Sequence, residues 1–182
     1  MTLTYLWLRM VLLFKWMSRI TRINFMVRFL LIIASVLFLF VSCSENSSEQ
    51  GISDSEILIG MHTDLSGPAS MIGKQSADGA NMKFAEFNDA GGAYGRKIKF
   101  IVEDHQYTVP RAVQAANKLL KKDKIAFMMG SLGTPQNNAV LTDQLSMNVP
   151  NLFPLTAARS MFEPFHRLKF TSGSTYYDQI RT

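Results

Sequence analysis

Short apolar runs alternate with longer segments of helical periodicity through most of this chain. In the longer segments, apolar residues recur every three or four positions, which is the spacing of one face of an α-helix. This alternation is typical of successive β–α–β units, in which parallel strands form a central sheet and helices cover its faces. The sequence therefore predicts an α/β fold with a Rossmann-like parallel sheet and flanking helices.

The same patterns give approximate bounds for each element. Strands are expected at 56–61, 97–103, 125–129, 151–153 and 167–171, and helices at about 70–89, 108–124, 135–147 and from 176 onward. The apolar stripe of the first helix is expected to be buried against the sheet, and it comprises Ala77, Ala80, Phe84 and Phe87.

The chain opens with the pattern of an export signal. The uncharged run FLLIIASVLFLFV, from Phe29 to Val41, follows two arginines and ends just before Cys43. A helix of that length spans about 20 Å, less than a hydrocarbon core of about 30 Å, so the pattern favours a cleaved signal over a transmembrane helix. Cys43 resembles the acylated cysteine of bacterial lipoproteins, although Phe40 stands where leucine is usual.

These features predict an export and lipoprotein signal over 1–43, with lipidation at Cys43. We therefore expect a periplasmic protein that is anchored to the membrane by this lipid, and a free or buried thiol is the alternative. Residues 1–25 precede a complete signal, so either the true start lies near Met26 or a further membrane anchor is present. The polar segment 44–54 has little to bury and is predicted to be a flexible tether.

The charge distribution argues against nucleic-acid binding. The chain has 19 basic and 14 acidic residues. The whole excess lies ahead of Glu45, in five basic residues that no acidic residue accompanies, so the remainder is neutral. A domain that binds a polyanion needs a surplus of lysine and arginine on one face. We therefore expect no nucleic-acid partner.

Motifs of common enzymes and metal sites are absent from the sequence. Neither Gly-Lys-Ser/Thr of phosphate-binding loops nor the Gly-x-Ser-x-Gly nucleophile pattern occurs. The three histidines are spaced too irregularly for a metal site, so we expect His62 at a strand end and His105 and His166 at the surface. Glu103 and Asp104 are expected to stay solvated. The sequence thus predicts a protein that is not an enzyme and needs no cofactor.

Three predicted loops follow strands at the edge of the sheet where parallel α/β proteins bind ligands. Their glycines permit close approach of backbone N–H groups, and Ser131, Thr134 and Thr156 supply hydroxyls. A helix that begins near Thr134 presents the positive end of its dipole there. These features favour a site for a small anion such as a carboxylate, with a plain β–α turn at 130–134 as the alternative. The loops are 64–73, 130–135 and 154–158.

Four stretches carry a family resemblance. In chain order they are LSGPASMIG, NDAGGAYGRKIKFIVED, AANKLLKKDKIAFMMGSLGT and VPNLFPLTAA. Together they resemble the type I periplasmic binding proteins of the leucine/isoleucine/valine-binding family, from about Ser53 to Thr171. The resemblance implies the substrate-binding component of an ABC importer for branched-chain amino acids, amides or similar small carboxylates. Its implied partners are that small-molecule ligand and an ABC permease in the inner membrane.

The resemblance also implies which residues contact the ligand: Ile72, Gly133, Thr134, Thr156, Ala157 and Ala158. Thr134, directly after Gly133, matches a hydroxyl residue that binds the ligand carboxylate, and Thr156 matches a position that binds it through the backbone. Ile72 falls where relatives often have an aromatic residue. Ala158 falls where amino-acid binders commonly have threonine, so it offers only its N–H. These two departures leave an amide, a urea-like compound or another carboxylate open as the ligand.

Members of this family hold their ligand between two lobes, and they continue for roughly another lobe beyond the length seen here. We therefore expect residues 55–182 to be the N-terminal ligand-binding lobe, with the second lobe missing. Either the gene is truncated or frameshifted, or the protein is a free-standing half-receptor. Two other function classes stay open. One is a ligand-sensing ectodomain of the same fold that is coupled to a signalling partner, and the other is an exported enzyme, which no motif supports.

Overall fold

The structure, a computed structural model, describes residues 49–181. The expected export signal over 1–43, the lipidation site Cys43 and the first part of the expected tether lie outside the described residues. Within 49–181, no helix combines the length and apolar character that crossing a membrane requires.

Five parallel strands form one sheet. Each strand pairs only with parallel neighbours, and the spatial order is β2-β1-β3-β4-β5. The strands are β1 (Glu56–Thr63), β2 (Lys97–Asp104), β3 (Phe127–Met129), β4 (Asn151–Leu152) and β5 (Lys169–Phe170). The predicted α/β fold with a Rossmann-like parallel sheet is confirmed.

Helices alternate with these strands as the sequence predicts. A π-helical turn over Lys118–Lys122 continues the second helix, and a short 3-10 turn over Arg159–Met161 follows β4. The second and third helices each have proline in their first turn, where a missing N–H removes no helical hydrogen bond. The four α-helices are α1 (Ser70–Asp89), α2 (Val109–Asn117), α3 (Thr134–Ser146) and α4 (Tyr176–Arg181).

The buried face of α1 is narrower than its apolar stripe suggests. Ala77 is buried, and Phe84 packs edge-on against Phe100 of β2 with ring centroids 5.2 Å apart. Phe87, predicted to be buried, is 41% exposed. The helix packs on β1 and β2, and β2 is the edge of the sheet, so the outermost residues of the stripe have no strand to cover them.

The core lies between the sheet and the helices α2 and α3. Its fully buried side chains come from the π-helical turn, β3 and the helices around them: Ala116, Leu119, Leu120, Ile125, Met128, Val140 and Val149. Gly60 of β1 is needed for this packing, because a Cβ there would lie 2.6 Å from Ile125 Cδ1. Small and branched residues therefore bring β1 into close contact with the chain that leads into β3.

Residues 49–54, which the sequence analysis assigned to a flexible tether, pack against the start of the sheet. The Leu58 N–H donates to Gly51 O at 2.7 Å, and Gln50 Nε2 donates to Ile125 O at 3.2 Å. Ile52 and Ile57 form an antiparallel bridge. This part of the segment therefore belongs to the folded domain, because its backbone finds partners there.

Replacing Leu119 by alanine tests the central position of this core. We expect Leu119→Ala to lower the free energy of unfolding by about 2–5 kcal/mol, because it leaves a cavity around a fully buried residue. Met82→Ala, at an α1 position that is 73% exposed, is the control and should change stability by less than about 0.5 kcal/mol. Urea unfolding followed by circular dichroism measures both, and equal effects would contradict this description of the core.

Candidate functional site

Because the strands are parallel, the loops that follow them meet at one edge of the sheet. His62 and Thr63 of β1 pair with Glu103 and Asp104 at the end of β2. On the other side of β1, Leu132 and Leu155 form a parallel bridge beyond the ends of β3 and β4. The loops that the sequence analysis selected as a ligand edge therefore lie together.

Asp64 fixes the loop that follows β1. Its carboxylate is fully buried and accepts hydrogen bonds from the backbone N–H groups of Ser66 at 3.2 Å, Gly67 at 2.5 Å and Ala69 at 2.7 Å. A buried charge is tolerated when hydrogen bonds replace its lost hydration. This carboxylate therefore serves the loop conformation and has little capacity left for a ligand.

Asp104 ties the same loop to β2. It accepts hydrogen bonds from Leu65 N–H at 2.8 Å, Ser66 Oγ at 2.5 Å and Gln106 N–H at 3.0 Å. Burial acts to raise the pKa of Asp104, but the hydrogen bonds from Ser66, Leu65 and Gln106 outweigh it, so the pKa is held below its usual value. The neighbouring Glu103 forms an ion pair with Lys118 at 2.6 Å. The expectation that both carboxylates are simply solvated is wrong, because each has protein partners.

His105 links the loops after β2 and β3. Its Nδ1 accepts the Tyr107 N–H at 3.0 Å, so the proton must lie on Nε2, which is 3.1 Å from Leu132 O. The neutral ring thus accepts a hydrogen bond from the loop after β2 and donates one to the loop after β3. His105 was expected at the surface and is fully buried instead. Burial is tolerated because both ring nitrogens have backbone hydrogen-bond partners, Tyr107 N–H and Leu132 O.

His62 lies beside it, with ring centroids 5.5 Å apart. The ring is fully buried, and neither nitrogen has a hydrogen-bond partner among the described residues. The pKa of His62 is lowered to about 3, mainly by burial and in smaller part by the neighbouring His105. Burial also lowers the pKa of His105. Both imidazoles are therefore neutral near pH 7.

The loop after β3 presents the start of α3. Gly133 has φ 96°, and a Cβ at this position would lie 2.2 Å from Gln136 Oε1, so only glycine fits. Asn137 Nδ2 donates to Ser131 O at 2.9 Å and to Gly133 O at 2.8 Å, which fixes the turn. No side chain caps the helix, and Pro135 has no N–H. The positive end of the α3 dipole therefore faces this edge. Among the described residues, no side chain accepts a capping hydrogen bond from its first N–H groups.

Two threonine hydroxyls meet at this helix end. Thr134 Oγ1 and Thr156 Oγ1 are hydrogen-bonded at 2.5 Å, and the Ala158 N–H points at Thr156 Oγ1 at 3.3 Å. Because one hydroxyl proton is used between the pair, the other remains able to donate. The pair is half-buried, so it is accessible to a small molecule.

The structure brings most of the expected ligand-contacting residues together. Gly133 and Thr134 adjoin Thr156 through the hydroxyl pair, and Ala157 follows with its carbonyl accepting the Tyr176 N–H at 2.9 Å. Ala158 sits next in the same loop, with its N–H directed at the Thr156 hydroxyl and not outward.

Ile72 comes from a different element than the other expected contacts. It lies in the first turn of α1, on the loop that Asp64 holds, and is 50% exposed. Its position is thus set by the loop after β1, whereas the threonine pair is set by the loops after β3 and β4.

A cavity of about 210 Å³ adjoins the threonine pair. It is lined by hydroxyl and small residues of the loops after β4 and β5, including Thr156, Ala157, Thr171 and Ser174. A larger cavity of about 580 Å³ lies at the opposite end of the strands, next to Gly51. The smaller one is relevant to the site, because it contains two of the expected ligand contacts. Among residues 49–181, no cluster of three or more metal-ligating side chains is present.

Sequence reasoning missed Tyr107 and Gln136 at this edge. Gln136 Nε2 donates to Tyr107 O at 2.6 Å, and the Tyr107 ring lies against Gly133. Tyr107 adopts φ 56°, an uncommon conformation for a residue other than glycine. No pattern in the sequence signals this turn, because one of the hydrogen bonds that fix it comes from Gln136, which lies 29 residues further along the chain.

A sequence model described as periplasmic binding protein matches residues 56–182. The chain belongs to this family. The family resemblance that the four sequence stretches indicate is therefore confirmed.

Individual relatives agree with this assignment. The chain is 32% identical over 75 residues to Leu/Ile/Val-binding protein homolog 1 of Brucella abortus (strain 2308), covering 41% of this chain and 20% of that protein. A substrate-binding periplasmic protein from Ralstonia solanacearum has a TM-score of 0.63 at 22% identity, covering 67% and 35% of the two chains. A fatty acid ABC transporter substrate-binding protein from Thermomonospora curvata has a TM-score of 0.63 at 23% identity, covering 75% and 36%.

These relatives are named as binding proteins, and the two solved structures share the fold of this chain. The chain spans about a fifth of the length of the Brucella protein and about a third of each solved structure. The match to the family model, over residues 56–182, includes all the loops of the candidate site.

The burial of His62 predicts an acid-sensitive fold. Its pKa is about 3 in the folded chain against an ordinary 6.5, so below about pH 6.5 the unfolded chain takes up a proton that the folded chain does not. Stability therefore falls as the pH decreases from about 6.5 toward 3. We expect a loss of about 2 kcal/mol from His62 between pH 7 and pH 5.

Urea unfolding at pH 7 and pH 5 measures this loss. His62→Gln should make the pH dependence shallower, because the titrating group is removed. His166→Gln is the control and should retain the steeper dependence, since His62 is intact. A wild-type stability that does not change between the two pH values would contradict the prediction.

Proposed function

We propose that this chain is the substrate-binding component of an ABC importer and that its ligand is a small carboxylate with an apolar body. Branched-chain amino acids and similar small carboxylates are the candidates, and a related amide is the alternative. The observation that carries the proposal is the hydroxyl pair of Thr134 and Thr156 at the uncapped start of α3. No catalytic step is part of this function.

The chemistry of the loops suits a carboxylate. In the first turn of α3, Pro135 has no N–H and the Asn137 N–H donates to Gly133 O, so the backbone donors left for a ligand are those of Thr134 and Gln136. The free hydroxyl of the threonine pair is a further donor, and the helix dipole favours negative charge there. The loops 130–135 and 154–158 contain no lysine or arginine. Binding would therefore rely on dipoles and hydrogen bonds, which suits reversible capture of a ligand.

The named relatives support an apolar carboxylate. One is called a Leu/Ile/Val-binding protein homolog and another a fatty acid transporter substrate-binding protein. Both ligand classes combine a carboxylate with an apolar body. Ala158 lacks the hydroxyl that a threonine would offer, so this chain has one donor fewer for a zwitterionic amino acid than the family pattern suggests.

The wider role follows from the family and the sequence. Residues 55–182 would form the N-terminal of two lobes, with an ABC permease as partner. Export through the signal at 1–43 and a lipid on Cys43 would hold the receptor at the outer side of the inner membrane. A carboxylate passed from this edge to the permease completes the proposed transport function.

Titration of the full chain with small carboxylates tests the proposal. We expect isovalerate and leucine to shift the backbone amide resonances of Gly133, Thr134 and Thr156 in ¹⁵N spectra, whereas isoamyl alcohol does not. Thr134→Val should weaken isovalerate binding about tenfold, because a hydrogen bond to a charged group is lost while the side-chain shape is kept.

Thr142→Val is the matched control, since Thr142 lies on the same helix and is exposed. It should bind isovalerate like the wild type. Carboxylates that shift no resonance at this edge, or that bind equally well to Thr134→Val, would contradict the proposed function.

A further inference from the structure

Tyr107 occupies an unusual turn at the candidate site. It and the preceding Gln106 both have positive φ, 56° and 51°, and two consecutive residues of this kind are costly without glycine. The tyrosine side chain is nevertheless 40% exposed. The fold thus holds an aromatic ring at the rim of the ligand edge at the expense of backbone strain.

Three side chains fix this turn, two from the residues directly before it and one from α3. The Tyr107 N–H donates to His105 Nδ1 at 3.0 Å, and its carbonyl accepts Gln136 Nε2 of α3 at 2.6 Å. The Gln106 N–H donates to Asp104 Oδ1 at 3.0 Å. Backbone strain persists only where the surroundings over-determine the conformation, and here they do.

The ring lies next to the start of α3. Tyr107 Cε2 is 3.3 Å from the place that a Cβ on Gly133 would occupy. Gly133 directly precedes Thr134, whose hydroxyl pairs with Thr156. The aromatic edge therefore borders the proposed carboxylate site on the side of β2, opposite the cavity at Thr156 and Ala157.

We infer that Tyr107 is a specificity-determining residue whose ring forms the apolar wall against which the body of a bound carboxylate packs. The inference rests on the proposed function and adds the residue that selects among carboxylates. Ile72, in the first turn of α1 after the loop that follows β1, is aliphatic, so Tyr107 supplies an aromatic surface from a different loop.

An apolar wall at Tyr107 predicts an order of binding affinity among carboxylates. A ring face attracts flat or branched apolar groups and excludes water from them, which strengthens binding in proportion to the apolar area buried. Phenylacetate should bind more tightly than isovalerate, and isovalerate more tightly than acetate, which has no body to reach the ring. The selectivity belongs to Tyr107, while the carboxylate contacts are common to all three.

Substitution of Tyr107 separates this role from a purely structural one. Tyr107→Asn removes the ring, and asparagine tolerates the left-handed conformation, so the turn is retained. Tyr107→Phe keeps the ring without the hydroxyl. Tyr94→Asn is a matched control, because Tyr94 has φ 54° and is 99% exposed away from the site.

Binding of acetate and phenylacetate to the full chain is followed by ¹⁵N amide shifts. We expect Tyr107→Asn to weaken phenylacetate binding about fivefold or more and to change acetate binding less than twofold. Tyr107→Phe and Tyr94→Asn should bind both ligands like the wild type.

An equal loss for both ligands in Tyr107→Asn would show that the ring only supports the loop, and unchanged phenylacetate binding would show that it touches no ligand. Either result overturns the inference while leaving the proposed function intact. Failure of the wild-type chain to bind either carboxylate would instead overturn the proposed function, and the inference with it.

Discussion

The hydrogen bonds of the buried His105 ring join the Tyr107 turn after β2 to the loop after β3, which leads into the candidate site. Its Nδ1 accepts from Tyr107 after β2, and its Nε2 donates to Leu132 after β3. A protonated ring would have no acceptor for the Tyr107 N–H, so this link exists only while the imidazole is neutral. This link and the hydrogen bonds of Asn137 to Ser131 O and Gly133 O together fix the loop that leads into α3.

The site is built at a cost that the rest of the domain offsets. Among the described residues, the buried ring nitrogens of His62 have no hydrogen-bond partner, and Gln106 and Tyr107 adopt left-handed conformations. Such features cost of order 1–3 kcal/mol each and are found where function requires them. The compact core around Leu119 and Met128, at the centre of the sheet, supplies the opposing stability. Stability is thus concentrated in the middle of the strands, and strain at their carboxyl ends.

Periodicity was sufficient for the fold, because helix and strand spacing depends on local sequence. It located β1, α1 and α3 to within about two residues of their observed bounds. It did not predict the burial of His105 or the turn at Tyr107, since each depends in part on a partner far along the chain, Leu132 for His105 and Gln136 for the turn. The threonine pair was within reach of sequence, because Thr134 and Thr156 each follow a strand of one parallel sheet. Their direct hydrogen bond required the register of β3 and β4.

The central claim is that the start of α3 and the threonine pair form a carboxylate site. A crystal structure of the full chain soaked with phenylacetate tests it most directly. The account predicts a carboxylate oxygen within hydrogen-bond distance of the Thr134 or Thr156 hydroxyl, with the phenyl ring against Tyr107. A carboxylate bound elsewhere, for example in the cavity beside Gly51 at the other end of the strands, would contradict it.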